Sequence, residues 1–270
     1  MVEDMATKYQ TIIAFDLYGT LLSTESIAKE LSAHFGKDKA TSLAGLWRRY
    51  QLEYTWRLNS MIQTSIDDIQ DQYEPFSSIT RNSLSHALAD SGVSLDDDSI
   101  ASLMKAYDSL STFPDVSPAL KALAEESVIT AVVFSNGTQS MVTNSVKSSP
   151  DLGPHASVFK DIVTVEEVKR FKPDPAVYYH LAEKMGKSKT KEAMGEMWLV
   201  SGNPFDVVGA RAVGMQAAWV DRAGNGWTDQ LTQSDAGKPT IIVKGLGEVV
   251  EGMKKHMESN ANSSSHILVH

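Results

Sequence analysis

Residues 11–21 read TIIAF and then DLYGTL. The first five are apolar and mostly β-branched, with no alternation of apolar and polar positions. That pattern predicts a short strand covered on both faces, as in a parallel sheet. The strand ends on an acid, Asp16, followed by a turn with Gly19 and Thr20. Four further runs have the same character: 129–134 (ITAVVF), 197–200 (MWLV), 217–220 (AAWV) and 240–243 (TIIV). Helix-length patterned segments lie between them, at 118–126, 139–147, 175–185 and 207–213. Alternating strands and helices predict an α/β fold with a doubly wound parallel sheet.

One region breaks the alternation. From about Ser26 to Leu110 the apolar residues recur at helical spacing: Ile27/Leu31, Leu43/Leu46/Trp47/Tyr50/Tyr54, Ile79/Leu84/Leu88 and Ile100/Leu103/Met104/Tyr107. A lone strand before Ser26 needs a sheet to join. The region therefore reads as an all-helical cap inserted after the first strand rather than as a separate sequential domain. Pro114 and Pro118 mark the return to the sheet. The division is a discontinuous core, 1–24 and 108–250, a cap, 25–107, and a tail, 251–270. The Ser/Asn-rich end of that tail predicts disorder.

Charge and composition narrow the function. The 270 residues carry 25 Lys+Arg against 34 Asp+Glu, a formal charge of −9. That balance argues against a nucleic-acid partner, whose binding relies on neutralising phosphates. The absence of cysteine excludes disulfides, thiolate nucleophiles and Cys-type zinc sites. No apolar run approaches the ~18–20 residues of a membrane span. Residues 1–10 are polar and show no apolar signal-peptide core. These features predict a cytoplasmic protein with no membrane partner. The seven histidines show no metal-ligand spacing, and His155 and His180 read as structural. No glycine-rich phosphate loop is present.

In open α/β sheets ligands bind beyond the carboxyl ends of the strands. Asp16 and Thr20 come after the first strand, and Ser135-Asn136-Gly137 after the second. Ser201-Gly202-Asn203-Pro204-Phe205-Asp206 come after the run at 197–200. Lys172 stands in a loop, FKPDP, that enters a helix at Pro175. Each has an ordinary structural explanation: Asp16 and Asp206 as caps, 135–137 as a tight turn, Lys172 as a solvated loop residue. Together they place an acid, a hydroxyl–amide pair, a lysine and a second acid at one rim.

These segments also carry a resemblance. FDLYGTL (15–21), LWRRYQLEYTW (46–56), FPDV (113–116), FSNG (134–137), FKPDPAVY (171–178), VSGNPFDVVGARAVGM (200–215) and AWVDRAG (218–224) resemble the haloacid dehalogenase superfamily. Within it they resemble the L-2-haloacid dehalogenase (type II) branch, from about residue 11 to 247. The resemblance implies a Rossmann-like core and a hydrolase acting on carbon–halide bonds. The reaction takes (S)-2-haloacids to (R)-2-hydroxyacids plus halide, with inversion. Asp16 is the implied nucleophile and forms an aspartyl ester. Lys172 is implied beside it, and Arg48 as the halide acceptor. Asp206 and Asn203 are expected to position the hydrolytic water, with Ser201 and Thr20 in support. Ser135, Asn136, Leu17, Tyr18 and Tyr178 are expected to join Arg48 in binding substrate, and Leu52 and Phe205 to form an apolar wall. The aromatic residues Trp47, Tyr50, Tyr54 and Trp56 read mainly as core packing.

Superfamily phosphatases use Asp-x-Asp and Mg²⁺. Here the second position is Tyr18, a poor acid near neutrality. The first acid of the fourth motif is Asn203. The resemblance therefore implies no metal and no cofactor, a small anionic 2-haloacid as partner, and a homodimer. A phosphatase of the same superfamily and a non-catalytic scaffold are the alternatives. Gly202 and Pro204 depart from the usual Ser-Ser-Asn text of the branch, which puts substrate size in doubt.

Overall fold

The strand expected at 11–15 forms as β1 (Thr11–Phe15), the centre of the sheet. The structure is a computed structural model and describes residues 11–64, 72–232 and 234–267. Its other strands are β2 (Ile129–Ser135), β3 (Phe159–Thr164), β4 (Met197–Ser201), β5 (Gln216–Val220) and β6 (Ile241–Val243). They form one parallel sheet in the order β3-β2-β1-β4-β5-β6. All five expected strands fall within a residue of their sequence positions. β3 was not foreseen. Its sequence, FKDIVT, exposes Lys160 and Asp161 at the sheet edge, so the apolar run that marks the inner strands is broken.

The order of strands fixes where a ligand can sit. From β1 the chain winds outward through β2 and β3, then returns to β4 and winds the other way. The reversal falls between β1 and β4, where the connections leave a crevice above the strand ends. Asp16, Ser135 and Ser201 all stand at that end.

Between β1 and β2 lie α1 (Ala28–Phe35), α2 (Lys37–Thr64), α3 (Phe76–Asp90) and α4 (Asp97–Tyr107). We take these as the cap. Leu22 and Thr112 form an isolated antiparallel bridge, so the two connections to the cap run side by side at its base. The 28 residues of α2 span about 42 Å. One face of α2, with Leu43, Trp47, Gln51, Thr55 and Ile62, is buried. The Trp47 indole donates to the Thr80 carbonyl of α3 at 2.8 Å. The adjoining face carries Arg48, Leu52 and Asn59, spaced four and seven residues apart, so they rise in one row.

The core helices are α5 (Val116–Leu123), α6 (Gln139–Thr143), α7 (Pro175–Lys184), α8 (Lys191–Gly195), α9 (Pro204–Ala212) and α10 (Val249–Ile267). Two differ from expectation. The helix expected over 139–147 is α6 followed by a wider π-type turn, Asn144–Ser148. The tail expected to be disordered instead belongs to α10, through Ile267. Val249 and Met253 are buried one turn apart, His256 packs edge-on to Trp198, and Lys254 pairs with Glu126 at 2.9 Å. These few anchors carry a helix whose later turns are polar. Residues 1–10 and 268–270 lie outside the described residues. Among the described residues no helix is long and apolar enough to cross a membrane.

Candidate active site

Asp16 sits just past β1, and the next turn folds back over it. Gly19 has φ 86°, a conformation that favours glycine, and this brings Thr20 beneath the carboxylate. The Thr20 hydroxyl donates to Asp16 Oδ2 at 2.7 Å. Asn203 Nδ2 donates to the same oxygen at 2.6 Å, and Ser201 Oγ at 3.4 Å. The other oxygen, Oδ1, accepts from Lys172 Nζ at 3.1 Å. One carboxylate oxygen is thus held by three neutral donors and the other by a cation.

Lys172 is only 1% exposed. Its ammonium also donates to Asp206 Oδ2 at 2.7 Å and to the Phe134 carbonyl at 2.8 Å. It lies 4.1 Å from the centroid of the Phe134 ring. Its backbone N–H donates to Asn136 Oδ1 at 2.9 Å, so the β2 turn braces the lysine loop. Asp206, fully buried near the start of α9, accepts from the Tyr178 hydroxyl at 2.7 Å through Oδ1. Burial pushes the Asp206 carboxyl up to about 6, against the pull of Lys172, and the Asp16 charge adds to the rise. Burial and the neighbouring Asp206 also raise the Tyr178 hydroxyl well above its ordinary value, so it donates as a neutral group. Such a buried charge cluster contributes little net stability, because desolvation offsets its Coulomb gain. Its presence points to chemistry.

The cap closes the site from above. Arg48 Nη2 donates to the Tyr18 carbonyl at 3.1 Å and to Asn203 Oδ1 at 3.4 Å. Arg49, exposed on the next position of α2, lies over the Tyr50 ring. Asn203 is therefore a hub: its amide N–H groups serve Asp16 and the Tyr18 carbonyl, and its oxygen meets Arg48.

The sequence-derived residues separate into groups. Asp16, Thr20, Lys172, Ser201, Asn203, Asp206 and Arg48 form one connected network. Ser135 is buried and accepts from the Gly137 N–H at 3.1 Å. Tyr178 stands behind Asp206 and contacts Asp16 only through it. Leu17 is buried in the core, and its carbonyl anchors the turn through Thr20, Leu21 and Leu22. The Tyr18 ring packs against Phe76 and Tyr107, and the residue reaches the site through its carbonyl. Leu52 and Phe205 line a cleft of about 760 Å³ together with Trp56, Pro204 and Asn203. Trp56 is 41% exposed and meets the Phe205 ring edge-on. It belongs to this cleft and not to the core, unlike Trp47.

Three features escaped the sequence reading. Asn59 on α2 exchanges two hydrogen bonds with the Phe171 backbone, at 2.7 and 2.9 Å, and so ties the cap to the residue before Lys172. Gln51 accepts from Arg48 Nη1 at 2.7 Å. Arg222 donates to the Thr20 carbonyl at 2.8 Å and pairs with Asp115 at 3.0 Å. That pair joins the FPDV and AWVDRAG segments behind the Asp16 turn. Asn59 and Arg222 act across long sequence separations, and Gln51 is held by Thr80 and Tyr107, 29 and 56 residues away, which no local pattern reports. Gly202 also has a physical reason. Its N–H donates to Thr20 Oγ1 at 2.9 Å, and a Cβ there would come within 2.6 Å of the Gly19 carbonyl. The departure from the branch text accommodates this close approach.

The donor set does not fit a divalent cation. Such an ion takes several oxygen ligands, carboxylates prominent among them. Here an ammonium and an amide N–H face the two oxygens of Asp16. Among the described residues there is no group of three His, Asp or Glu able to hold a metal.

The site thus joins a doubly wound sheet, a carboxylate past β1, a lysine–aspartate pair beside it and a helical cap above. Residues 11–214 match the model of the haloacid dehalogenase-like hydrolase family, and the chain belongs to it. It is 33% identical to (S)-2-haloacid dehalogenase H-109 of Pseudomonas putida over 238 residues, 88% of this chain and 95% of that one. It is 32% identical to haloacetate dehalogenase H-2 of Moraxella sp. (strain B), over 82% and 90% of the two chains. The L-2-haloacid dehalogenase of Xanthobacter autotrophicus, solved with chloropropionic acid covalently bound, superposes with a TM-score of 0.73 at 26% identity, over 90% of this chain and 99% of that one.

Proposed function

We propose that this protein is an (S)-2-haloacid dehalogenase that releases halide through an ester on Asp16. The observation that carries this reading is the unequal treatment of the two Asp16 oxygens. Among the described residues Oδ1 meets only Lys172, whereas Oδ2 is gripped by Thr20, Asn203 and Ser201. Oδ1 attacks C2 from the face opposite the halogen. The new bond is Oδ1–C2, and the C2–halogen bond breaks with its electron pair leaving on the halide. Lys172 offsets the charge of the approaching 2-haloacid, and Arg48 receives the halide. Ser135 and Asn136, at the end of β2 beside the Lys172 loop, are assigned to the substrate carboxylate.

Oδ2 then becomes the ester carbonyl oxygen. When water attacks the Asp16 Cγ, the developing oxyanion rests on the three donors already in place. The proton of the water passes to Asp206, whose Oδ2 is joined to the site through Lys172. Collapse breaks the Cγ–Oδ1 bond. The 2-hydroxyacid leaves with Oδ1, its alkoxide taking back the proton held by Asp206, and Asp16 keeps the oxygen of the water and loses the remaining proton as it ionises. C2 is attacked once, so its inverted configuration persists. Leu52, Trp56 and Phe205 keep bulk water from the attacking oxygen. The donor set around Asp16 supports chemistry without a metal, and the acidic composition and lack of cysteine support a cytoplasmic site of action. The homodimer implied by the resemblance is checked by light scattering of the purified chain.

Halide release from the separate enantiomers of 2-chloropropionate, in EDTA, tests this reading. Release from the S enantiomer alone, with the R hydroxyacid as product, is expected. Release from neither enantiomer, with Mg²⁺-dependent hydrolysis of phosphate esters, would replace it with the phosphatase reading.

Asp206 also sets the pH response. It must be ionised to accept the proton, so kcat should fall as pH is lowered through about 6, well above the ordinary carboxylate range. Fold stability moves the other way for this group. Its raised pKa adds stability at low pH, which is lost as pH rises through about 6. A kcat–pH profile with an acidic limb near 4 would remove Asp206 from the proton-accepting step.

A further inference from the structure

Gln51 is wholly buried in the cap, one turn beyond Arg48 on α2. Its Oε1 accepts from Arg48 Nη1 at 2.7 Å and from the Tyr107 hydroxyl at 3.1 Å. Its Nε2 donates to Thr80 Oγ1 at 2.8 Å. The Thr80 hydroxyl in turn donates to the Phe76 carbonyl at 2.7 Å. This chain fixes which way the amide points. A threonine hydroxyl has one proton, and that proton is committed to Phe76. Thr80 can therefore only accept from Gln51, so the NH₂ faces Thr80 and the carbonyl oxygen faces Arg48. Residues on α2, α3 and α4 meet here, so the packing of the cap aims the guanidinium.

The kind of acceptor matters as much as its place. Among the described residues, the acceptors given to Arg48 are Gln51 Oε1, the Tyr18 carbonyl and Asn203 Oδ1, and all are neutral. A carboxylate would hold the guanidinium more tightly, but it would also cancel its charge. In a site shielded from water, a resident anion competes directly with an arriving one.

We propose that Gln51 is the positioning residue of the halide acceptor: it fixes the Arg48 guanidinium through a neutral oxygen and so leaves its positive charge available to the departing halide. This rests on the reading of Arg48 as halide acceptor. Gln51 touches neither substrate nor halide and acts only through Arg48. An amide oxygen supplies direction without charge, and the Thr80 hydroxyl keeps that oxygen in place.

The test measures bromide inhibition and kcat for chloride release from (S)-2-chloropropionate. It compares the wild type with Gln51→Glu, Thr80→Val, Thr80→Ser and Arg48→Ala, each checked for folding by thermal unfolding. Gln51→Glu keeps the shape and adds a charge, so bromide should inhibit about tenfold more weakly and kcat should fall about as much. Thr80→Val frees the amide to turn its NH₂ toward Arg48 and should shift bromide inhibition the same way. Thr80→Ser keeps the hydroxyl and should restore it. A merely structural role would lower thermal stability without changing halide affinity. If Gln51→Glu fails to fold, the Thr80→Val and Thr80→Ser pair decides the matter. Wild-type bromide inhibition in folded Gln51→Glu or Thr80→Val, with Arg48→Ala impaired, would overturn this inference alone. An unimpaired Arg48→Ala would overturn the role of Arg48 and this inference with it. A wild type that releases no halide would overturn the functional reading.

Discussion

Asp16→Asn should lower halide release at least about 10⁴-fold while leaving the fold intact. The amide is close in shape to the carboxylate, and the surrounding donors can still be served in part. Thr20 and Asn203 reach Oδ2 at 2.7 and 2.6 Å, and an amide oxygen can accept both bonds. What disappears is the anionic oxygen that faces Lys172, and with it the electron pair that forms the bond to C2. Steady-state halide release, beside a thermal unfolding curve, separates the two effects. Activity within about tenfold of wild type in a folded variant would remove Asp16 as nucleophile.

Lys172→Met should cost about 10³-fold or more in kcat, for an electrostatic reason. The ammonium lies 3.1 Å from Asp16 Oδ1 and 2.7 Å from Asp206 Oδ2, and all three side chains are almost wholly buried. Methionine fills a similar volume and carries no charge. Two carboxylates are then left facing one another across a dry gap, and the pair takes up a proton. The substrate carboxylate brings a further negative charge into the same space. The loss should therefore appear in both kcat and KM. It should be partly reversed at higher pH, where the pair again loses its proton. A variant with unchanged kinetics would show that the attack needs no cation at this place.

Both effects trace to residues that the sequence made visible, and the reason is local. β1, β2 and β4 are short apolar runs, and the residues at the carboxyl end of each run stand at the rim of the sheet. Asp16, Ser135 and Ser201 could therefore be placed before any contact was known. Lys172 and Asp206 were visible as motif residues, but their 2.7 Å contact joins two loops that only the fold brings together. Gln51, Asn59 and Arg222 were not legible. Each is a common polar residue on a helix or loop, and its meaning lies in a partner far along the chain. β3 was missed because an edge strand tolerates Lys160 and Asp161. The tail was misread because two buried anchors, Val249 and Met253, outweigh the polar composition of the later turns. Trp56 shows the limit of the aromatic pattern: spacing places it on α2, but not on the cleft side of that helix.

Gly202 and Pro204 illustrate a different point. As text they depart from the branch. In the structure Gly202 lets the β4 turn approach the Gly19 carbonyl, and Pro204 opens α9 at its first turn, where its lack of an N–H costs nothing. The turn still delivers Asn203 to Asp16 and Asp206 to Lys172. The change alters the wall of the cleft beside Phe205 rather than the contacts among Asp16, Lys172, Asn203 and Asp206.

The ester on Asp16 is tested most directly by one turnover in heavy-oxygen water, with enzyme in excess over (S)-2-chloropropionate. Mass spectrometry then reads the peptide containing Asp16 and the hydroxyacid product. One heavy oxygen in the Asp16 carboxylate and none in the product is the predicted result, because water attacks Cγ and the old Oδ1 leaves with C2. Heavy oxygen in the product, with Asp16 unlabelled, would mean that water attacks C2 itself, and it would contradict the account.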